Sequence, residues 1–180
     1  GKTVMTTEPK FVPDESVKIR VGGDTELNVR MIDCVGYMVD GALGGEEDGA
    51  MRMVKTPWAD EEMPFSRAAE IGTGKVIGEH STIGMLVTTD GTVCGIPREN
   101  YIPAEERVAA ELKALGKPFA IILNSATPEA ESAHALAAQL EEKYGVPVAL
   151  VSCEGLDKED IRGILSLVLG EFPVRSLTFT

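Results

Sequence analysis

Three short apolar runs, each followed by a helix-like segment, constrain this chain more than any other feature. Ile83 to Thr88, Phe119 to Asn124 and Val148 to Ser152 are near-continuous hydrophobic stretches, the composition of strands buried on both faces. Pro103 to Leu115 reads as a helix: Glu105 and Glu106 load its first turn, Val108, Leu112 and Leu115 share a face, and Gly116 stops it. Thr127-Pro128 is expected to cap a second helix, with Leu136, Leu140 and Tyr144 inward and Gly145 at its end. Asp157 opens a third, carrying Ile161, Ile164, Leu165 and Val168. Strand and helix in strict alternation imply a parallel sheet with helices on both faces.

The upstream half reads differently. Ser16 to Val21 and Glu26 to Asp33 alternate around Gly22-Gly23-Asp24-Thr25, the pattern of an antiparallel hairpin. From Gly36 to Met63 no period survives, and a stretch that long without structure is expected to be a functional or mobile loop. Phe65 to Glu79 reads as a helix weakened by Gly72, Gly74 and Gly78. One hairpin ahead of a strand–helix series is the layout of GTPase-like P-loop NTPases, an α/β fold of three layers. The first strand and phosphate loop of such a fold are not seen here. Residues 1–173 are expected to form this domain, with Val174 to Thr180 a tail or the start of another. The chain opens without Met, so its first residue reads as a boundary within a longer sequence.

Composition narrows the function. The formal charge is −12 over 180 residues, and so acidic a surface disfavours nucleic acid and electrostatic membrane binding. No apolar run approaches the roughly 20 residues that span a bilayer, so direct membrane insertion is not expected. Cys34, Cys94 and Cys153 lie about sixty residues apart, too far to pair as metal ligands by sequence spacing. They are read as reduced core residues of a cytosolic protein. With only His80 and His134, a zinc site or a histidine triad has little material.

Four strings bear on chemistry. Asp33 ends an apolar strand and Gly36 follows in Asp-Cys-Val-Gly. In phosphate-transferring domains an Asp there holds magnesium, usually through water, while a Gly lets a backbone N–H approach the terminal phosphate. A strand ending in a turn would use the same residues. Thr6 and Thr7 precede Pro9 in an irregular segment, where a threonine can close over magnesium and the γ-phosphate, or simply be a polar loop residue. Gly1-Lys2-Thr3 mimics the end of a phosphate loop, but Pro9 and Pro13 leave no room for the helix such a loop must open. Asn124-Ser125-Ala126-Thr127 ends a buried strand where guanine readers carry Asn-Lys-x-Asp. The Asn is there; the carboxylate that grips guanine is not.

Met5-Thr6-Thr7-Glu8-Pro9-Lys10-Phe11, Asp33-Cys34-Val35-Gly36-Tyr37, Glu79-His80-Ser81-Thr82-Ile83-Gly84 and Thr88-Thr89-Asp90-Gly91-Thr92 resemble the stage IV sporulation protein A family of endospore-forming bacteria. The likeness runs from Gly1 to about Val174. It implies a spore coat morphogenetic ATPase that hydrolyses ATP and polymerises into the basement layer around the forespore. Recruitment there would be by a small amphipathic peptide embedded in the forespore membrane, with other coat proteins as partners. The protein would then work in the mother-cell cytoplasm at the forespore surface. By position, the resemblance makes Asp33 the magnesium-associated acid and Thr6 and Thr7 the sensor threonines. It also places the family's phosphate loop upstream of Gly1, so the isolated chain is expected to be inactive.

The expected function is thus an ATP hydrolase domain, with ATP and magnesium as cofactors. Thr6, Thr7 and Asp33 are its catalytic and metal residues; Gly36, Asn124 and Ser125 contact the nucleotide. Two rivals stand beside it: a non-hydrolysing assembly module with a nucleotide-domain fold, and a regulatory GTPase, which Asn124-Ser125 disfavours.

Overall fold

A computed structural model of the chain describes residues 10–20, 26–47, 49–57 and 59–171. The chain divides into two compact units, Gly1–Ser81 and Thr82–Thr180. Thr6, Thr7, the Gly1-Lys2-Thr3 string and the expected boundary after residue 173 lie outside the described residues.

In the first unit, β1 (Lys10–Arg20) pairs antiparallel with β2 (Glu26–Asp33). The expected hairpin is present, but β1 begins at Lys10 rather than Ser16. The reason is a bulge: Val12 stands opposite Met31 while Val17 stands opposite Val29, so four residues of β1 oppose Arg30 alone. Arg30 secures it, donating from Nη1 to the Asp14 carbonyl at 3.3 Å and lying 3.8 Å over the Phe11 ring. Pro13, with no N–H to give a ladder, falls inside the bulge.

The stretch from Gly36 to Met63, expected to lack structure, holds two further hairpins. β3 (Glu46–Glu47) pairs with β4 (Ala50–Met51), and β5 (Met53–Thr56) pairs with β6 (Ala59–Pro64). Strands of two to six residues are too short to print a period on the sequence. So the antiparallel pairs among the described residues number three, not the one expected, and none is hydrogen-bonded to the parallel sheet. Then α1 (Phe65–Lys75) buries Phe65, Ala68, Ala69 and Thr73. It runs on as a π-helical turn, Val76–His80, closed by the Ser81 N–H on the Val76 carbonyl at 3.0 Å.

The second unit fulfils the alternation. β7 (Gly84–Thr89), β8 (Phe119–Asn124) and β9 (Val148–Val151) form a parallel sheet in the order β7-β8-β9. Side chains alternate across it. Ala120 and Ile122 face Ile164 and Val168 of α4 (Lys158–Gly170). On the opposite face Phe119, Ile121 and Leu123 are buried with Leu86, alongside Leu112 of α2 (Arg98–Ala114) and Leu140 and Tyr144 of α3 (Glu131–Tyr144). Each such side chain contributes about 1.5–3 kcal/mol. The start of α4 is set locally by a capping box: Asp157 accepts from the Glu159 and Asp160 N–H groups, and Asp160 returns the bond.

Three local expectations are corrected. α2 starts at Arg98, five residues before Pro103, because Arg98 is anchored by an ion pair described below; Pro103 is accommodated inside the helix. Thr127 does not cap α3, which begins at Glu131 after Ala130 with no side-chain cap; the Thr127 carbonyl instead closes a turn with the Ala130 N–H at 3.0 Å. The cysteines are not core: Cys34 is half-buried and Cys94 and Cys153 are exposed. Cys34 directly follows β2, Cys153 stands two residues past β9, and Cys94 lies in the loop between β7 and α2.

Gly84 is held by packing. A Cβ there would stand 2.8 and 2.9 Å from the two Leu112 methyls and 3.1 Å from the Phe119 Cβ. Gly84→Ala is therefore expected to destabilise, since overpacking of about 1–3 kcal/mol exceeds the ~0.4–1 kcal/mol gained from the unfolded chain. In a Leu112→Ala background the two methyl clashes are gone and only the 3.1 Å approach to the Phe119 Cβ remains, so the same substitution is expected to cost less. Urea midpoints of the four proteins of this cycle measure that coupling; additive losses would contradict it.

Candidate functional site

In an open parallel sheet, ligands bind beyond the carboxyl ends of the strands. At that edge of the second unit the chain builds a polar cluster around Asp90, the residue after β7. Asp90 Oδ2 accepts from the Ser125 hydroxyl at 2.6 Å. Its Oδ1 accepts from the Thr92 N–H at 3.0 Å and the Thr92 hydroxyl at 2.5 Å. Thr92 Oγ1 accepts in turn from the Ala126 N–H at 2.9 Å, and Ser125 Oγ from the Thr127 N–H at 3.0 Å. Partial burial pushes the Asp90 carboxyl up, but the bonds from Ser125 and Thr92 outweigh it and hold the group below the usual carboxylate range. That stabilisation is present above the unfolded carboxylate pKa and is lost as pH falls through the lower folded value.

Of the two residues of this edge expected to meet a nucleotide, Asn124 is half-buried at the end of β8. Its Oδ1 accepts from the Cys153 N–H at 2.9 Å, which fixes the amide and assigns the NH2 to its other arm. Ser125 is fully buried, with its hydroxyl given to Asp90. It shapes the loop from beneath. The loops after β7, β8 and β9 are thereby joined into one edge.

Below that edge lies a buried ionic cluster. Glu105 of α2 is 3% exposed. Its Oε2 lies 2.6 Å from Arg98 Nη2 and accepts from the Thr88 hydroxyl at 2.8 Å. Its Oε1 accepts from the Tyr144 hydroxyl at 2.8 Å. Burial, with the Glu105 bond adding to it, pushes the Tyr144 phenol up to about 12, so it remains a donor at any physiological pH. Arg98 Nη1 reaches Thr88 Oγ1 at 3.3 Å.

The first unit carries the other expected site. Asp33 is the last residue of β2, exposed, and among the described residues no side chain takes its carboxylate by hydrogen bond or ion pair. Gly36 has φ +80, a conformation that favours glycine, and open space where a Cβ would stand. Between them, burial pushes the Cys34 thiol up, opposed by the Gly36 backbone and the Thr73 hydroxyl. That hydroxyl is buried and finds no partner of normal hydrogen-bond geometry; the thiol is the polar atom it faces.

Among the described residues no group of three or more His, Cys, Asp or Glu forms a metal cage. A free carboxylate beside an open backbone turn suits magnesium, which takes one or two carboxylates and fills its shell with water and phosphate oxygens. The donor set at Asp33 fits that ion. The sequence reading missed Asp90, Arg98, Glu105 and Tyr144 as a set. Its one clue was Thr88-Thr89-Asp90-Gly91-Thr92, three hydroxyls and a carboxylate at a strand end, an Asx-turn composition.

Comparison with known proteins gives this geometry a family. Residues 1–173 match the family model described as stage IV sporulation protein A, ATPase domain. The chain is 52% identical over 177 residues to stage IV sporulation protein A of Clostridioides difficile (strain 630), covering 98% of this chain and 36% of that protein. It is 52% identical over 174 residues to the protein of the same name from Bacillus anthracis and 51% to that of Bacillus subtilis (strain 168), in each case over 97% of this chain and 35% of the relative. The chain thus spans about a third of the length of these relatives. No solved structure matches it. With residues 1–173 matched out of 180, the chain belongs to the stage IV sporulation protein A family, in its ATPase domain.

Proposed function

We propose that this chain supplies part of the nucleotide site of an ATP hydrolase with a GTPase-like P-loop fold. The observation that carries the reading is the exposed Asp33 at the end of β2, whose carboxylate no side chain among the described residues takes by hydrogen bond or ion pair, followed by Gly36 at φ +80. Magnesium bound there would neutralise charge developing on the terminal phosphate. The chain's own part is positional. Asp33 would hold the ion through its water shell, the open turn at Gly36 would leave room for a phosphate beside the backbone, and Thr6 or Thr7 would sense the γ-phosphate. Taken by itself, the second unit has its own expected contacts: Asn124 would offer its NH2 to a base, and Ser125 keeps that loop in place through Asp90.

Further parts of the reading extend to the full-length protein. Its ATP hydrolysis drives polymerisation into a coat layer on the forespore, in the mother-cell cytoplasm. Its partners are copies of itself, other coat proteins and a small amphipathic membrane-bound peptide. No helix among the described residues is long and apolar enough to cross a membrane. The 180 residues alone are expected to show no turnover, because their one phosphate-loop-like string, Gly1-Lys2-Thr3, lacks the strand-and-helix sequence context that such a loop needs. A non-hydrolysing assembly module is the second reading, favoured by the exposed Val12, Val17 and Met31 on the β1–β2 hairpin.

Asp33→Ala in the full-length protein is expected to lower ATP turnover by about tenfold or more, since metal positioning carries much of this chemistry. The melting temperature is expected to hold, because the carboxylate is exposed and bonded to no described side chain. Phosphate release and thermal melts decide it; unchanged turnover with intact folding would return Asp33 to a turn residue.

Base preference gives a second test. Thr127 stands where a guanine reader needs an Asp, and one hydroxyl cannot replace a bidentate acceptor. A site without that carboxylate loses both the reward for guanine and the penalty against adenine. Equimolar GTP is therefore expected to inhibit ATP hydrolysis by the full-length protein by no more than about half, as a competitor of similar affinity does. Displacement of ATP by GTP on the order of tenfold more effectively would revive the regulatory-GTPase reading.

A further inference from the structure

The Arg98–Glu105 pair is costly and oddly placed. Arg98 is the first residue of α2 and follows Pro97, which makes no side-chain cap. A cation at a helix N-terminus works against the macrodipole. Its partner carboxylate is almost wholly buried, and a buried ion pair often contributes less stability than apolar residues of the same size. Stability alone gives this pair no reason to exist, but its geometry does.

The guanidinium is held at two points, Nη2 by Glu105 and Nη1 by Thr88, while Glu105 is braced by Tyr144 from α3. That fixes the Arg98 backbone. Gly91 lies directly on it: a Cβ at Gly91 would stand 2.9 Å from the Arg98 N and 3.3 Å from the Ile96 carbonyl oxygen, and Gly91 has φ +90. On either side of Gly91 are Asp90 and Thr92, whose side chains hold Ser125 and the Ala126 N–H. An unbroken series of contacts therefore runs from Tyr144 and Glu105 through Arg98 and Gly91 to the loop after β8.

We propose that Arg98 and Glu105, braced by Tyr144, are positioning residues that set the 124–127 loop at the carboxyl edge of the sheet. They touch no ligand. They act by fixing where Gly91, and hence Asp90 and Thr92, can lie. The fork geometry is essential, because a lysine ammonium cannot hold Glu105 and Thr88 at two separate nitrogens. The link from these residues to nucleotide affinity rests on the reading of this edge as nucleotide-facing.

The test uses Arg98→Lys, Glu105→Gln and the mild Tyr144→Phe in the full-length protein. Hydrogen exchange is followed by mass spectrometry in peptides covering residues 89–97, 124–128 and the central strand 119–123, with KM and kcat for ATP measured alongside. Exchange in the first two peptides is expected to speed by about tenfold while the central strand stays protected, a local rather than global opening. KM is expected to rise severalfold with kcat nearly unchanged, the signature of lost ground-state binding. Wild-type exchange at 89–97 and 124–128 in all three variants would overturn the proposal. So would equal loosening of 119–123 in all three, Tyr144→Phe included, because the cluster would then be a general brace of the fold. Loosened loops with unchanged KM would uphold the positioning role and remove the nucleotide from this edge.

Discussion

One buried carboxylate organises the second unit. Glu105 accepts from a strand, from its own helix and from the neighbouring helix, through Thr88, Arg98 and Tyr144. Taking that charge out of water costs several kcal/mol, and only a full set of donors offsets it. The requirement runs both ways. β7, α2 and α3 can each find other apolar contacts, but only one mutual arrangement satisfies the carboxylate. Losing a hydroxyl donor such as Tyr144 costs about 1.5–3 kcal/mol, as for other hydrogen bonds to charged groups. Hydrophobic burial supplies the energy that keeps this unit folded, and Glu105 restricts which packed arrangement it takes.

The carboxyl edge follows from that arrangement. Loops are free to wander unless something fixes both ends, and here the loop after β7 is fixed at Thr88 by the ladder and at Arg98 by the ion pair. Gly91 presses onto Arg98 because it has no Cβ. Asp90 then meets Ser125, and Asn124 reaches over to the Cys153 N–H. Three loops far apart in sequence become one rim by hydrogen bonds averaging little energy each. In the first unit, by contrast, Asp33 ends its strand exposed, and among the described residues no side chain takes its carboxylate by hydrogen bond or ion pair.

What the sequence could show depended on the length of each pattern. Phe119 to Asn124 was legible to the residue because six consecutive positions are buried or nearly so. Asp157 was legible because its cap is local, written in Asp157 and Asp160. Gly145 ends α3 at φ 66, as a glycine after a helical pattern should. The hairpins between Gly36 and Met63 were not legible, because two-residue strands carry no period. The early start of α2 was hidden by Pro103, whose usual meaning at a helix start was overruled by an ion pair seven residues long in sequence, Arg98 to Glu105. Asp33, Gly36 and Asn124 could be found as strand-end residues with chemical potential. The cluster of Glu105 and Tyr144 could not, since they meet across 39 residues of sequence; Asp90 showed only its Asx-turn composition, because its bond to Ser125 spans 35 residues.

We propose that the carboxyl edge of the parallel sheet faces the nucleotide. Photolabelling the full-length protein with an azido-ATP in the presence of magnesium, followed by peptide mapping, tests it most directly. Label is expected in peptides containing Asn124 to Thr127 or Ser152 to Gly155, suppressed by excess ATP. Label that ATP suppresses but that falls only on peptides outside this edge would contradict it.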